Sequence, residues 1–458
     1  MFNMLSIGKK AVMANEKQLE TTAHNIANAN TPGFSRQRVV QEASMPISSV
    51  HYNYGTGVDV VRIERMRDLQ LDAEFRRHNG QSGYWDAMSR HLTNLEKNVL
   101  ETTEHGIHAR INAFFNSWEL LANNPFSNVH RIEVVSAANQ LTESFQNLYR
   151  SIEQQRIDAT RELETSADRI NQIAFEMEKL IGHIALEEMQ NRPVNDLLDQ
   201  FDLLVDELSG YGNVQIHRRE NGTASVYLGT DELVRNGHVN TLSMVEKQNM
   251  ATGEITFVLA WNNIDTPIAG LTTGSLKALE DLRTTILPEY QRKLDDLVVQ
   301  ITNQVNAIHS QGINLHGGSG ADFFSPDVTG VMTFSVSKEV LTDTDFIATS
   351  LTGSTGDNQI ALMMTDLRLD KVFDGQTLTE TFADLIYNIG QDVRFSNLSS
   401  DRSALVTRQT DNFRESVKGV SMNEETANLM KFQQAYMAAA KIISVADDML
   451  KTIIGLVR

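Results

Sequence analysis

With 41% hydrophobic and 22% charged side chains, the 458-residue chain reads as folded rather than disordered, with length for about two to four domains. Its formal net charge of −19 and 40 scattered Lys and Arg argue against nucleic acid, because phosphate binding needs clustered cations. The absence of cysteine excludes disulfides, thiolate catalysis and Cys-based zinc sites.

Residues 1–14 carry Asn3, Ser6, Lys9 and Lys10 among apolar residues, which is not the pattern of a secretory signal peptide. No apolar run reaches the length of about 18 that a membrane span needs. Composition alone thus predicts a cytoplasmic protein, or one exported by a route that reads something else. Leu5, Val12, Leu19 and Ile26 recur every seven residues, widened by Ala11, Ala23 and Ala27. This spacing predicts a helix that packs along its length on partners. It ends at Asn25, Asn28 and Asn30, whose amides can bond the last turn, and at Thr31-Pro32-Gly33. Proline blocks continuation and glycine permits a positive φ.

The middle is mostly helical. Leu141, Phe145, Leu148 and Ile152 form one stripe, and Leu163, Ala167, Ile170, Ala174, Met177, Ile181 and Ile184 another, between Pro125 and Pro193. They predict one very long helix or two end to end. Asp196, Asp199 and Asp202, interleaved with leucines, read as the wet face of an amphipathic helix. Residues 214–217 and 224–228 flank Asn221-Gly222 and predict a hairpin; 256–261 and 331–336 predict further strands. Leu276, Leu279, Leu282 and Ile286 begin a helix that Pro288 kinks, continued by Leu294, Leu297, Ile301, Val305 and Ile308. Phe382, Leu385, Ile389 and Val393 predict another.

The C-terminus carries the strongest periodicity. Leu429, Phe432, Tyr436, Ala439, Ile443, Ala446, Leu450, Ile453 and Val457 alternate steps of three and four, a coiled-coil seam. Ala435, Ile442, Met449 and Leu456 form a second row, and Met430 and Met437 lie on another face. Rows this wide predict several neighbours. Ser421 and Glu424 predict a capping box at the helix start.

The expected architecture is mainly α with a small β insertion. The terminal helices pair as a coiled coil beside a long-helix bundle body and a small antiparallel β module. The expected division is an N-terminal axial helix and linker (1–60), a helical body (61–212), the β module (213–265), more body (266–418, with a β-rich stretch near 323–350) and a C-terminal axial helix (419–458).

No catalytic constellation stands out: HExxH, GxxxxGK[ST] and GxSxG are absent from the sequence. Gly317-Gly318-Ser319-Gly320 lacks dinucleotide spacing and reads as a loop. His309 and His316 lack a third ligand at useful spacing and read as a solvated pair. Neither catalysis, a cofactor nor a metal is expected.

Residues 24–37, His-Asn-Ile-Ala-Asn-Ala-Asn-Thr-Pro-Gly-Phe-Ser-Arg-Gln, resemble the N-terminal signature of the flagellar axial proteins of rod, hook and hook–filament junction. Ser35-Arg36-Gln37 makes them similar to the junction subfamily, the first hook-associated proteins. Leu121-Ala122-Asn123-Asn124-Pro125 after Phe114, Phe115 and Trp118 agrees, as does Asn195-Asp196-Leu197-Leu198-Asp199-Gln200. So does the stretch from Arg414 to Ser421 that leads into Asn428-Leu429 and Gln433-Gln434-Ala435-Tyr436. His24 stands where the family usually has Asn, and Phe34 where Tyr is common. The chain is also short for that family, which implies reduced outer domains.

The resemblance implies a structural subunit that joins hook to filament, exported without a cleaved signal peptide to the extracellular flagellum. Its partners would be neighbouring copies in a tubular ring, the hook protein, the second junction protein beside the filament, and a cytosolic export chaperone on the C-terminal helix. Neither nucleic acid nor membrane is among them. The implied assembly residues are Leu5, Val12, Leu19, Asn25, Ile26, Asn28, Asn30, Pro32, Gly33, Phe34, Leu429, Phe432, Tyr436, Ile443, Leu450 and Ile453. Their stripes predict ends that stay largely disordered until neighbours cover them. A hook or rod subunit, a generic coiled-coil scaffold and an enzyme sited in the β module remain the alternatives, the last without a ligand set in the sequence.

Overall fold

A computed structural model describes residues 2–48, 53–99, 106–219, 222–235, 237–248, 255–262, 266–354, 356–373 and 375–456. The chain opens with α1 (Phe2–Ala27). A ribbon follows in which β1 (Gln37–Ala43) pairs antiparallel with β4 (Val58–Arg65), beyond a small pair, β2 (Ile47–Ser48) and β3 (Asn53–Tyr54). The expected linker is therefore a two-stranded arm. Its strands are too charged, and its loop too long, to signal a hairpin.

The body comprises α2 (Leu69–Val99), α3 (Ile107–Asn123), α4 (Asn128–Met189) and α5 (Asn195–Tyr211). Helix α4 is one unbroken helix of 62 residues, and its predicted stripes, from Leu141 through Ile184, are buried. The Ser127 hydroxyl caps it by accepting from the His130 N–H.

A four-stranded sheet follows, β5 (Val214–Arg218), β6 (Ala224–Leu228), β7 (Asp231–Arg235) and β8 (His238–Val239), paired in chain order. A second has the order β11 (Thr266–Pro267), β10 (Ile255–Trp261), β9 (Leu242–Gln248). The predicted pairing of β5 with β6 is present; Asn221 of its turn lies outside the described residues.

Helices α6 (Ser275–Asp281) and α7 (Leu287–His309) are joined by a π turn, Leu282–Ile286. Pro288 offers no N–H to the α ladder, so the predicted kink takes the form of that wider turn. Residues 331–336 depart from the strand expectation. Val331–Thr333 is a 3-10 turn, and only Val336 bridges Phe324. The Asp295 carboxylate accepts from the Val331 N–H at 2.7 Å and Thr333 Oγ1 from the Thr329 N–H at 2.9 Å, so side chains satisfy what a strand would share.

Short α8 (Lys338–Thr342) and α9 (Gln359–Asp366) lead to α10 (Leu378–Lys418), capped by Thr377 and Glu380, and to α11 (Met422–Leu456). Helix α10 lies mainly on α2, and α3 on α4 and α9. Phe114, Trp118, Phe323, Phe324 and Phe334 form an aromatic cluster in one continuous core.

Helices α1 and α11 pack on each other. A Cβ on Gly8 would sit 2.8 Å from Ile443, and Asn25 reaches Glu425, so the two run antiparallel. The ends are thus helical and partnered within one chain, where the stripes alone predicted disorder before assembly. No described helix is long and apolar enough to cross a membrane.

Candidate assembly interface

The turn after α1 holds the two ends together. The Asn28 side chain donates to His24 O at 3.1 Å, closing the last helical turn as expected. Gly33 takes φ +80° with Leu203 packed against it, and the Phe34 ring meets His24 edge-on at 5.5 Å. Asn25 does more than cap. It is buried, it exchanges two 2.9 Å hydrogen bonds with the backbone of Gln37, and it donates to Glu425 at 3.1 Å. Asn30 and Pro32 are exposed.

The next three residues each engage a different partner. Ser35 donates from its N–H (2.8 Å) and its hydroxyl (2.7 Å) to Asp199. Arg36 pairs with Glu425 at 2.7 Å and with Glu424 at 3.0 Å, while its N–H donates to Lys418 O at 2.8 Å. Gln37 donates from Nε2 to Asp196 at 2.7 Å. The predicted capping box is therefore half formed. Ser421 accepts from the Glu424 N–H at 3.5 Å, but the Glu424 carboxylate has gone to Arg36.

The largest departure concerns the aspartates of α5. Asp199 and Asp202 are buried, not wet. Arg65 bridges both at 2.9 and 2.8 Å, and Arg67, Arg76 and Arg218 converge on Asp202 at 3.0, 3.2 and 2.8 Å. Arg67 also clasps Asp72 through two 2.9 Å bonds. Asp206 takes Arg76 at 2.7 Å and Arg414 at 2.6 Å, with the Arg414 guanidinium 4.0 Å over the Phe75 ring. Burial pushes the Asp202 carboxyl up, but the four guanidiniums outweigh it and hold it down at about 2. Arg67 is pulled the other way by burial, yet Asp72 and Asp202 raise it above its ordinary value. Burial dominates at Arg218 and lowers it.

This network joins the arm, the start of α2, α5, β5 and α10. It fastens the segment carrying α1 to the body. Sequence reasoning missed it because the four arginines on Asp202 lie 16 to 137 residues from it, and Arg414 lies 208 residues from Asp206.

The predicted seams divide. On α11, Ala439 and Ala446 are buried, Leu429, Phe432, Ile443 and Leu450 half-buried, and Tyr436 and Ile453 exposed. Val457 lies outside the described residues. On α1, Leu5, Val12, Leu19 and Ile26 are half-buried, Ala23 and Ala27 exposed, and the buried positions are Gly8, Ala14, Thr21, Thr22 and Asn25. Small and polar groups thus let the helices approach. Met437 (56% exposed), Met430, Ile442, Met449 and Ile454 (64%) remain uncovered.

His309 and His316 are not a solvated pair. His309 is fully buried, bonded to Ala321 O and accepting from the Ala348 N–H at 2.9 Å. His316 lies at the surface 3.0 Å from Asp343, and with Asp345 these three place ligand atoms within 4.8 Å of one another.

Three family models match. One, described as the flagellar hook-associated protein FlgK helical domain, covers residues 92–324. The C-terminal model of flagellar basal body rod FlgEFG proteins covers 416–456, and the flagella basal body rod protein model covers 5–34. Flagellar hook-associated protein 1 of Bacillus subtilis is 28% identical over 99% of this chain and 98% of its own length. That of Escherichia coli is 21% identical over the whole of both chains. The flagellar hook junction protein FlgK from Burkholderia pseudomallei shares the fold, with a TM-score of 0.67 at 16% identity over 76% of this chain and all of that one. The chain belongs to the flagellar hook-associated protein FlgK family.

Proposed function

We propose that the chain is a structural subunit of the flagellar axis at the hook–filament junction, and that it polymerises through the α1–α11 pair. The observation that carries this reading is the incomplete covering of that pair. One seam is closed within the chain, while the rows through Met430, Met437, Ile442, Met449 and Ile454 stay open. Covering a Leu- or Ile-sized side chain contributes about 1.5–3 kcal/mol, so neighbouring copies on these rows give a large driving force. The arginine–aspartate network then transmits load from the axial pair to the body.

In this reading the assembly residues are those of the two seams and of the Asn25–Phe34 turn. Hook protein lies on one side and the second junction protein on the other. The chain travels through the flagellar export channel to the extracellular axis. A cytosolic chaperone covers the open rows of α11 beforehand. The protein works without catalysis or a cofactor.

Ile443→Asp tests the reading. It places a carboxylate against Gly8, and it should abolish incorporation into the flagellum while the body keeps its fold by circular dichroism. Cells carrying it, like a deletion strain, should build hooks, lack filaments and release monomeric filament subunits. Normal filaments on that variant would sink the proposal.

A further inference from the structure

The Gly-rich loop after α7 brings His316 Nε2 to 3.0 Å from Asp343 Oδ2. Asp343 opens a 3-10 turn, Thr344–Phe346, in which Asp345 adds a third donor. The three ligand atoms lie within 4.8 Å of one another. Local spacing concealed the group, because Asp343 is 27 residues from His316.

The backbone around the three donors is fixed. The Ile313 N–H donates to Ser350 O at 2.7 Å and the Leu315 N–H to Asp345 O at 3.1 Å, which ties loop to turn. The Asp345 N–H donates to Asp343 Oδ1 at 3.0 Å and leaves Oδ2 towards His316. The His316 ring rests against the Phe346 ring at 4.9 Å. On the core side, buried Arg131 donates to Thr344 O at 3.2 Å and to Ile347 O at 2.7 Å. It lies close enough to feel both carboxylates, but among the described residues it is ion-paired with neither. Asp345 is half-buried, yet its carboxylate has no hydrogen-bond or ion-pair partner among the described residues. A carboxylate so placed is ordinarily paired or coordinates a metal. Two carboxylates against one guanidinium leave a net negative charge, which favours a dication.

We infer that His316, Asp343 and Asp345 bind one divalent cation of the zinc class, and that the ion clips the Gly-rich loop to the 3-10 turn. One imidazole nitrogen and two carboxylate oxygens suit zinc, with water in the remaining position, whereas calcium takes about six to eight oxygens. Donors on a tetrahedral zinc sit about 3.4 Å apart. His316 and Asp343 are already near that separation, and rotation of the Asp345 carboxylate brings in the third. The ion's role is structural. Asn128, the first residue of α4, accepts from the Thr344 hydroxyl, and α4 then runs 62 residues, about 90 Å, towards Asn195, which bonds the arm. The clip thus steadies the end of the body remote from the α1–α11 pair, and it stands apart from the polymerising reading.

Chelator-treated full-length protein is titrated with zinc chloride by calorimetry, and hydrogen exchange is followed with and without the ion. Zinc should bind and should slow exchange of the Leu315 and Asp345 N–H groups. His316→Ala and Asp345→Asn should each weaken binding by at least the roughly 10- to 100-fold that loss of an outer hydrogen-bond partner costs, and should abolish that protection. Asp345→Asn keeps the size of the side chain, and circular dichroism checks that both variants fold. His130→Ala, which removes another surface His–Glu pair 3.3 Å apart, should leave the binding unchanged. Absence of zinc binding, parent-like affinity in His316→Ala and Asp345→Asn, or binding that leaves Leu315 exchange untouched would overturn the site. So would equal protection by calcium in His316→Ala, since the carboxylates alone would then suffice.

Discussion

Asn25 and Glu425 stand 400 residues apart in the chain and 3.1 Å apart in the fold. Glu425 is only 2% exposed, and Arg36 holds its other side at 2.7 Å. A buried carboxylate survives only with such partners. One carboxylate therefore receives both the end of α1 and the residue that opens the arm, which fixes where the two chain ends meet.

Asn25→Ala removes three hydrogen bonds, two of them to the Gln37 backbone, whose N–H and C=O then lose their side-chain partner. Leaving buried polar groups unmatched costs about 1–3 kcal/mol each. Hydrogen exchange should quicken at Gln37 and along the first turns of α11, while the middle of α4 keeps its protection. Unchanged exchange at Gln37 would contradict the arrangement.

Local periodicity made part of this fold legible. The α4 stripe, the β5–β6 pair, the helix of Phe382 to Val393 and the α11 seam each announce themselves within a few turns. Helix α2 did not, because its buried face mixes Asp72 and His91 with Ala87, Leu92 and Leu95 and is interrupted by Gly80 and Gly83. Residues 24–37 were readable as a helix stop, since proline and glycine act locally. What Ser35, Arg36 and Gln37 bind was not, because Asp199, Glu425 and Asp196 come from remote segments. Asp199 and Asp202 of α5 were misread for the same reason, whereas Asp196 is exposed as its place in the row suggested. An i, i+3 row of aspartates looks solvated until the arginines that bury it are known.

Breaking that network should be costly in a particular way. Asp202 faces four guanidiniums, so Asp202→Ala strands buried cations and should destabilise the protein by about 3–5 kcal/mol. The pair Asp206 and Arg414 allows a cleaner measurement. Urea unfolding of Asp206→Asn, Arg414→Met and the double variant should give a coupling of about 1–3 kcal/mol. Additive single effects would mean that the 2.6 Å contact contributes nothing of its own.

Acid should act first at His309. Burial lowers this imidazole from its ordinary 6.5 to about 4, with Arg131 acting the same way against the hydrogen bond to Ala321. The unfolded chain takes up its proton near 6.5 while the folded chain resists. The stability from keeping this ring neutral is thus full above about pH 6.5 and is lost as pH falls towards 4. The loss amounts to about 3 kcal/mol. Asp202, held at about 2, should give way only below pH 4, as pH falls from the ordinary carboxylate range towards 2. Chemical denaturation between pH 7 and 4 should show His309→Gln losing less stability than the parent, by about one proton's linkage. Parallel curves would remove His309 as the cause.

The approach of α1 to α11 depends on a missing side chain. A Cβ at position 8 would lie 2.8 Å from Ile443 Cγ1, closer than carbon atoms sit, so any larger residue must push the helices apart or displace Ile443. Gly8→Val should cost the pair about 1–3 kcal/mol, although valine forms helix more readily than glycine. Limited proteolysis should then cut α1 and α11 early while α4 stays intact, and incorporation into the flagellum should fall. Gly8→Val combined with Ile443→Ala vacates the space and should recover much of both. If Gly8→Val pairs and incorporates as the parent does, the helices meet elsewhere and the small-residue seam is wrong.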